Sequence, residues 1–287
     1  MDFFAHGQKN KKEKSIYLIK FKIKSNYINM KNYRIYKPNT KQYDLYEECH
    51  KNQTVNFVKS KIKQYSLLNN CKMTMNRALE LINEFIDPSD PDLNLPNSIH
   101  VYQTAERIRK DYPNDKEFQI CGLIHDLGKI LFKFGEPSWA VVGDTFPVGC
   151  EYAKSIVYYD TLKQNSDYNH HIYKTKYGIY RKNCGIENLK MSFGHDEYLY
   201  MVLKGNNNHK LSDKYINIIR FHSFYPWHTG NDYNHFMNEK DKELLQNVLS
   251  FNKYDLYSKS DSTIISNKTK HYYNNLLNDF FPDTLNW

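Results

Sequence analysis

The segment Cys121-Gly122-Leu123-Ile124-His125-Asp126-Leu127-Gly128-Lys129 constrains this chain more than any other stretch. It is apolar in the manner of a buried helix, yet it carries an imidazole and a carboxylate side by side. Burying both costs several kcal/mol unless each is hydrogen-bonded, charge-paired or bound to a metal. A His-Asp dipeptide alone is weak evidence, because a core histidine satisfied by its neighbour reads the same way. Whatever the fold, it must bring polar partners to this point.

From about residue 42 onward the apolar spacing is helical. Tyr43, Tyr46, Val55, Val58 and Ile62 recur with charges between them, and Thr74 can cap a helix carrying Ala78, Leu79, Leu81, Ile82 and Phe85. Asp87-Pro88-Ser89-Asp90-Pro91 breaks the chain. Ser98 opens a helix towards Lys110, and a helix near 115–132 holds the His-Asp pair. Gly135 to Gly149 is a loop punctuated by Gly and Pro, and further helices are predicted near 150–164, 195–204, 212–223, 239–251 and 268–280. With no βαβ alternation and no internal repeat, the expected class is all-α. One domain over 33–287 follows an N-terminal extension, 1–32, that is expected to be disordered.

Composition narrows the partners. The chain has 287 residues and a formal charge of +8, but much of the excess sits in the first forty residues as a solvated tail, so nucleic acid is not expected. Five scattered cysteines fit reduced thiols, and no apolar run nears the roughly twenty residues that span a bilayer. No G-x-x-x-x-G-K-[ST] phosphate loop is present. A cytoplasmic monomer without a membrane partner is expected.

Among twelve histidines, His6, His50, His170, His171, His209, His235 and His271 lie in polar contexts that predict surface positions. His100 upstream and Asp255 downstream of the dipeptide give the order His…His-Asp…Asp. This is the ligand order of HD-domain metal proteins, which the chain resembles over that stretch. Imidazole and carboxylate donors suit Fe, Mn or Zn, and a carboxylate can bridge two ions. Asp126 is the residue assigned to such a bridge. His195 and His222, taken singly, are more often structural than metal-binding.

Their surroundings carry a closer resemblance. Pro96-Asn97-Ser98-Ile99-His100, the run Gly135-Glu136-Pro137 through Trp139 to Cys150, Gly194-His195-Asp196-Glu197-Tyr198, Phe221 to Gly230, and Phe251-Asn252-Lys253-Tyr254-Asp255-Leu256-Tyr257 are similar to the myo-inositol oxygenase family. The similarity runs from about Tyr33 to Trp287 and implies an HD-domain-type helical bundle with an N-terminal arm or lid. It implies a pair of iron ions in the mixed-valence Fe(II)/Fe(III) state, with dioxygen as co-substrate and neither flavin nor nicotinamide. One ion would take His100, His125, Asp126 and Asp255, and the other Asp126, His195 and His222. The implied reaction is the ring-cleaving, four-electron oxidation of myo-inositol to D-glucuronate.

Substrate contacts carry over on the same terms to Arg34, Asp87, Asp90, Lys129, Gly143, Asp144, His222, Ser223 and Lys259. Lys129 is also the implied catalytic residue, one turn past the His-Asp pair, where its ammonium can reach an oxygen that gains charge. Tyr46 falls near the implied lid. The alternative is an HD-domain metal-dependent phosphohydrolase, which uses the same His…His-Asp…Asp order on an anionic substrate. A metal-stabilised binding protein is the third reading, and a closed site would favour it.

Overall fold

Helix starts in this chain are set by side-chain caps. Thr40, Thr54, Thr74, Asp115 and Ser266 each accept the backbone N–H three residues on, satisfying a donor the helix itself leaves orphaned. A computed structural model describes residues 40–89, 96–256 and 264–287. In chain order its helices are α1 (Lys41–Asn52), α2 (Val55–Tyr65), α3 (Met75–Leu81), α4 (Asn97–Asp111), α5 (Lys116–Ile124), α6 (His195–Gly205), α7 (Asp213–Phe221), α8 (Tyr225–His228), α9 (Asp241–Leu256) and α10 (Asn267–Phe280). Two short strands, β1 (Lys72–Met73) and β2 (Leu285–Asn286), pair antiparallel. Their pairing seats the buried Trp287, whose indole N–H donates to the Met73 carbonyl.

The protein is therefore a mostly helical bundle, as the periodicity predicts. At its centre α4 and α5 form a close pair, because a Cβ on Gly122 would lie 2.7 Å from Ile108 Cδ1 and 3.1 Å from the Ala105 backbone. Helix α7 packs on α5 and α6, and α9 packs on α4 and α7. Val101, Ala105, Leu123, Ile124, Val202, Ile218 and Phe251 fill the space between them.

Three elements differ from the periodicity-based reading. The expected helix over 115–132 stops at Ile124, and a 3-10 segment runs over Leu127–Phe134. Gly128 explains the change of winding: a Cβ there would stand 2.0 Å from the His195 carbonyl oxygen, so this backbone lies against the start of α6. The apolar run from Tyr43 to Ile62 divides into α1 and α2 at Gln53, whose buried amide pairs with both the N–H and the C=O of Phe193. Residues 150–158 form no helix. Their backbone donors go elsewhere, Glu151 to the Thr175 carbonyl and Ala153 to the Tyr233 hydroxyl. Only Tyr159–Gln164 winds, as a 3-10 turn after Tyr158 at φ 50°.

His50 is also not at the surface. One turn after Tyr46 on the inner face of α1, it is fully buried, with Nδ1 2.6 Å from Thr161 Oγ1 and its ring edge-on to Phe146. The expected extension 1–32 and the candidate residues Arg34, Asp90 and Lys259 lie outside the described residues.

Candidate metal centre

Three imidazoles are fixed in the same way before any metal is considered. His125 ends α5, His195 begins α6 and His222 ends α7. Their Nδ1 atoms lie 2.9, 2.9 and 2.7 Å from the carbonyl oxygens of Gly122, Val141 and Ile219. A carbonyl only accepts, so each Nδ1 carries the proton and each Nε2 presents a lone pair. This second hydrogen bond is what orients a ligating histidine. His100 projects from the first turn of α4 and places Nε2 2.9 Å from Asp255 Oδ1 on the last turn of α9.

All four Nε2 atoms surround one carboxylate. Asp126 turns Oδ2 towards His125, at 3.6 Å, and His100, at 4.0 Å. It turns Oδ1 towards His195, at 3.3 Å, and His222, at 3.9 Å. Asp255 Oδ1 completes the first group, 3.4 Å from His125 Nε2. The structure thus brings together His100, His125, Asp126, His195, His222 and Asp255, in the overlapping groups His100–His125–Asp255, His125–Asp126–His222 and His195–Asp196–His222. Lone pairs of buried bases converging at 3–4 Å repel one another unless a cation lies among them, and nitrogen with carboxylate oxygen is a donor set that iron accepts. The residues present fit a metal pair.

The charges agree with this. Burial opposes ionisation of Asp126, but Lys129, His125 and His195 outweigh it and hold the carboxyl well below its usual range. Asp255 is depressed in the same way by His100 and His125. Burial also opposes a charge on His195, yet Asp196 and Asp126 push its pKa up to about 10. A proton on His195 thus stands where a metal charge would otherwise act.

Lys129 lies three residues past Asp126 in the 3-10 segment, a winding that stacks i on i+3. Its ammonium is 2.9 Å from Asp126 Oδ2 and 2.7 Å from Asp87 Oδ2. Asp87 is buried, and its Oδ1 accepts from the Ser89 N–H and hydroxyl. The loop after α5 reaches the same region: Val141 holds His195, Gly143 takes φ +110° and the buried Asp144 accepts from the Tyr46 hydroxyl at 2.8 Å. The Thr145 N–H donates to the Ser223 carbonyl and ties this loop to the residue after His222.

Asp196 escaped the sequence reading. Its position in the first turn of α6, beside Glu197, reads as two carboxylates complementing a helix N-terminus. In fact it is buried, and its Oδ1 faces His195 Nε2 at 2.9 Å and His222 Nδ1 at 3.1 Å. Arg220 and Glu197 were equally silent; they form a buried, two-pronged pair between α7 and α6.

A helical bundle that closes on paired imidazole–carboxylate groups around one shared aspartate has the donor set of a bridged, two-position metal site. The family described as myo-inositol oxygenase matches residues 39–287. The chain belongs to that family. It is 49% identical over 247 residues to "Inositol oxygenase 1" of Arabidopsis thaliana, covering 85% of this chain and 79% of the relative. It is 48% identical over 250 residues to "Inositol oxygenase" of Dictyostelium discoideum, covering 85% of each. The "Inositol oxygenase" of Homo sapiens is 46% identical over 246 residues, covering 85% of this chain and 86% of that relative.

Proposed function

We infer that this chain is an inositol oxygenase, an oxidoreductase that uses dioxygen to open the ring of myo-inositol and give D-glucuronate. The observation that carries the reading is the division of Asp126, one oxygen towards His100 and His125 and the other towards His195 and His222. That division supports an HD-domain-type site for a mixed-valence Fe(II)/Fe(III) pair. His100, His125, Asp126 and Asp255 would hold one ion, and Asp126, His195 and His222 the other. When bound, iron supplies Lewis acidity towards substrate hydroxyls and the redox capacity to use dioxygen.

The chain's own residues do the rest. The second position has fewer protein donors, which leaves room for neighbouring hydroxyls of the cyclitol. Lys129, charged because Asp126 and Asp87 outweigh the cost of burial, donates to a substrate oxygen that gains negative charge. Asp87 and Asp144 accept from ring hydroxyls, and Ser223 and the Gly143 backbone complete the polar wall. Arg34, Asp90 and Lys259 are assigned to the same substrate. Phe251, with its ring 5.3 Å from His125 and 6.0 Å from His222, keeps water from the far side of the imidazoles. We further assign the protein to the cytoplasm as a monomer; no helix among the described residues is long and apolar enough to cross a membrane.

The test is iron-loaded protein given myo-inositol in an oxygen-electrode cell. Glucuronate should appear in step with oxygen consumed, and should stop under anaerobic conditions. Turnover that continues without oxygen, or release of phosphate from an ester instead, points to the hydrolase reading.

A further inference from the structure

Asp196 is 1% exposed, and it satisfies no helix N-terminus: α6 has no side-chain cap at its start. Among the described residues its ion-pair partners are imidazoles alone, His195 and His222, with no lysine or arginine among them. Its Oδ1 lies 3.1 Å from His222 Nδ1, whose N–H goes to the Ile219 carbonyl at 2.7 Å, and it accepts the hydroxyl of Ser223 at 3.3 Å. Its Oδ2 is buried with no partner among the described residues. A carboxylate buried without a permanent cation is costly unless a charge nearby compensates it.

We propose that Asp196 is a positioning residue for the second metal position, fixing the His222 ring from behind and aiming the Ser223 hydroxyl at the substrate. The inference rests on the metal-centre reading above. A carboxylate behind an imidazole sets its tautomer, holds its plane and strengthens its Nε2 as a donor. Because His195 gives its Nδ1–H to Val141, its Nε2, once it loses its own proton to take a metal, meets the Asp196 carboxylate lone pair to lone pair at 2.9 Å. That contact is favourable only when a cation sits beside it. Asp196 therefore adds negative charge to the side of the centre that has fewer protein ligands, and the Ser223 hydroxyl on its Oδ1 assigns it to support of the ligands.

The experiment is anaerobic equilibrium dialysis of Fe(II) against metal-stripped wild type, Asp196→Asn and Asp196→Ala, with bound metal counted and the fold checked by circular dichroism. In Asp196→Ala the first ion should bind as in wild type and the second about 10- to 100-fold more weakly. Asp196→Asn keeps an oxygen for His222 but loses the charge, so its second ion should fall between. Both variants should also raise KM for myo-inositol more than they lower kcat, through Ser223. If wild type binds two ions and both variants match it within about twofold, the inference is overturned. It is equally overturned if Asp196→Ala cannot bind a second ion at any concentration, since that marks a ligand. If Asp196→Ala does not fold, Asp196→Asn decides on the same twofold criterion. Wild type binding fewer than two ions would instead refute the metal-centre reading.

Discussion

The ammonium of Lys129 is held between Asp87 and Asp126, so its removal separates charge stabilisation from metal binding. Lys129→Ala should keep both irons and lower kcat by about 10²–10³-fold, the cost of losing one preorganised donor. Iron content measured beside steady-state rates checks this, and unchanged kcat would remove Lys129 from the chemistry. His50 gives a second test at the same scale, away from the metal. Burial lowers its pKa from 6.5 to about 3, so the folded state stays neutral while the unfolded state takes up a proton below 6.5. Stability should therefore be unaffected by His50 above pH 6.5 and should fall as pH drops from there towards 3, by about 1.4 kcal/mol per unit. Urea titrations across that window should show a shallower slope in His50→Asn, whose amide can still meet Thr161.

Helices α6 and α7 carry His195 and His222, and the Glu197–Arg220 pair joins them two residues away from each imidazole. Arg220 also donates to the Glu187 carbonyl and stacks on Tyr200. Breaking a buried pair from one side strands a charge, so Glu197→Gln should cost about 3–5 kcal/mol in chemical denaturation. Gly128 tests the other seam. Gly128→Ala must displace the first residue of α6, because the added methyl meets backbone, not a flexible side chain. The expected outcome is loss of the second ion, read as iron per chain. Elements with strong internal periodicity, α4, α6, α7, α9 and α10, were legible in the sequence to within a few residues. The breaks at Gln53 and His125 and the loop over 150–158 were not, because distant groups such as Phe193, the His195 carbonyl, Thr175 and Tyr233 decide them.

At the scale of the whole molecule, four separated stretches of chain deliver donors to one point: α4, the α5 terminus, the α6–α7 pair and the end of α9. His125 and Asp126 announced that point through their apolar setting, and the convergence of His100, His195, His222 and Asp255 on it is present in the fold. Asp196 and the carbonyls of Gly122, Val141 and Ile219 could not be read, since backbone acceptors and a helix-start carboxylate look ordinary in sequence. A centre assembled from distant segments binds metal only when folded, so adding iron should raise the melting temperature. At free iron 100-fold above Kd the gain is about 2.7 kcal/mol per site; a melting temperature indifferent to iron or to chelator would count against such a centre.

The most direct test is crystallographic anomalous scattering at the iron edge on reconstituted protein. Two peaks should flank the carboxylate of Asp126, one beside His100, His125 and Asp255 and one beside His195 and His222. A single peak, or iron away from Asp126, would contradict the bridged pair on which the proposed chemistry depends.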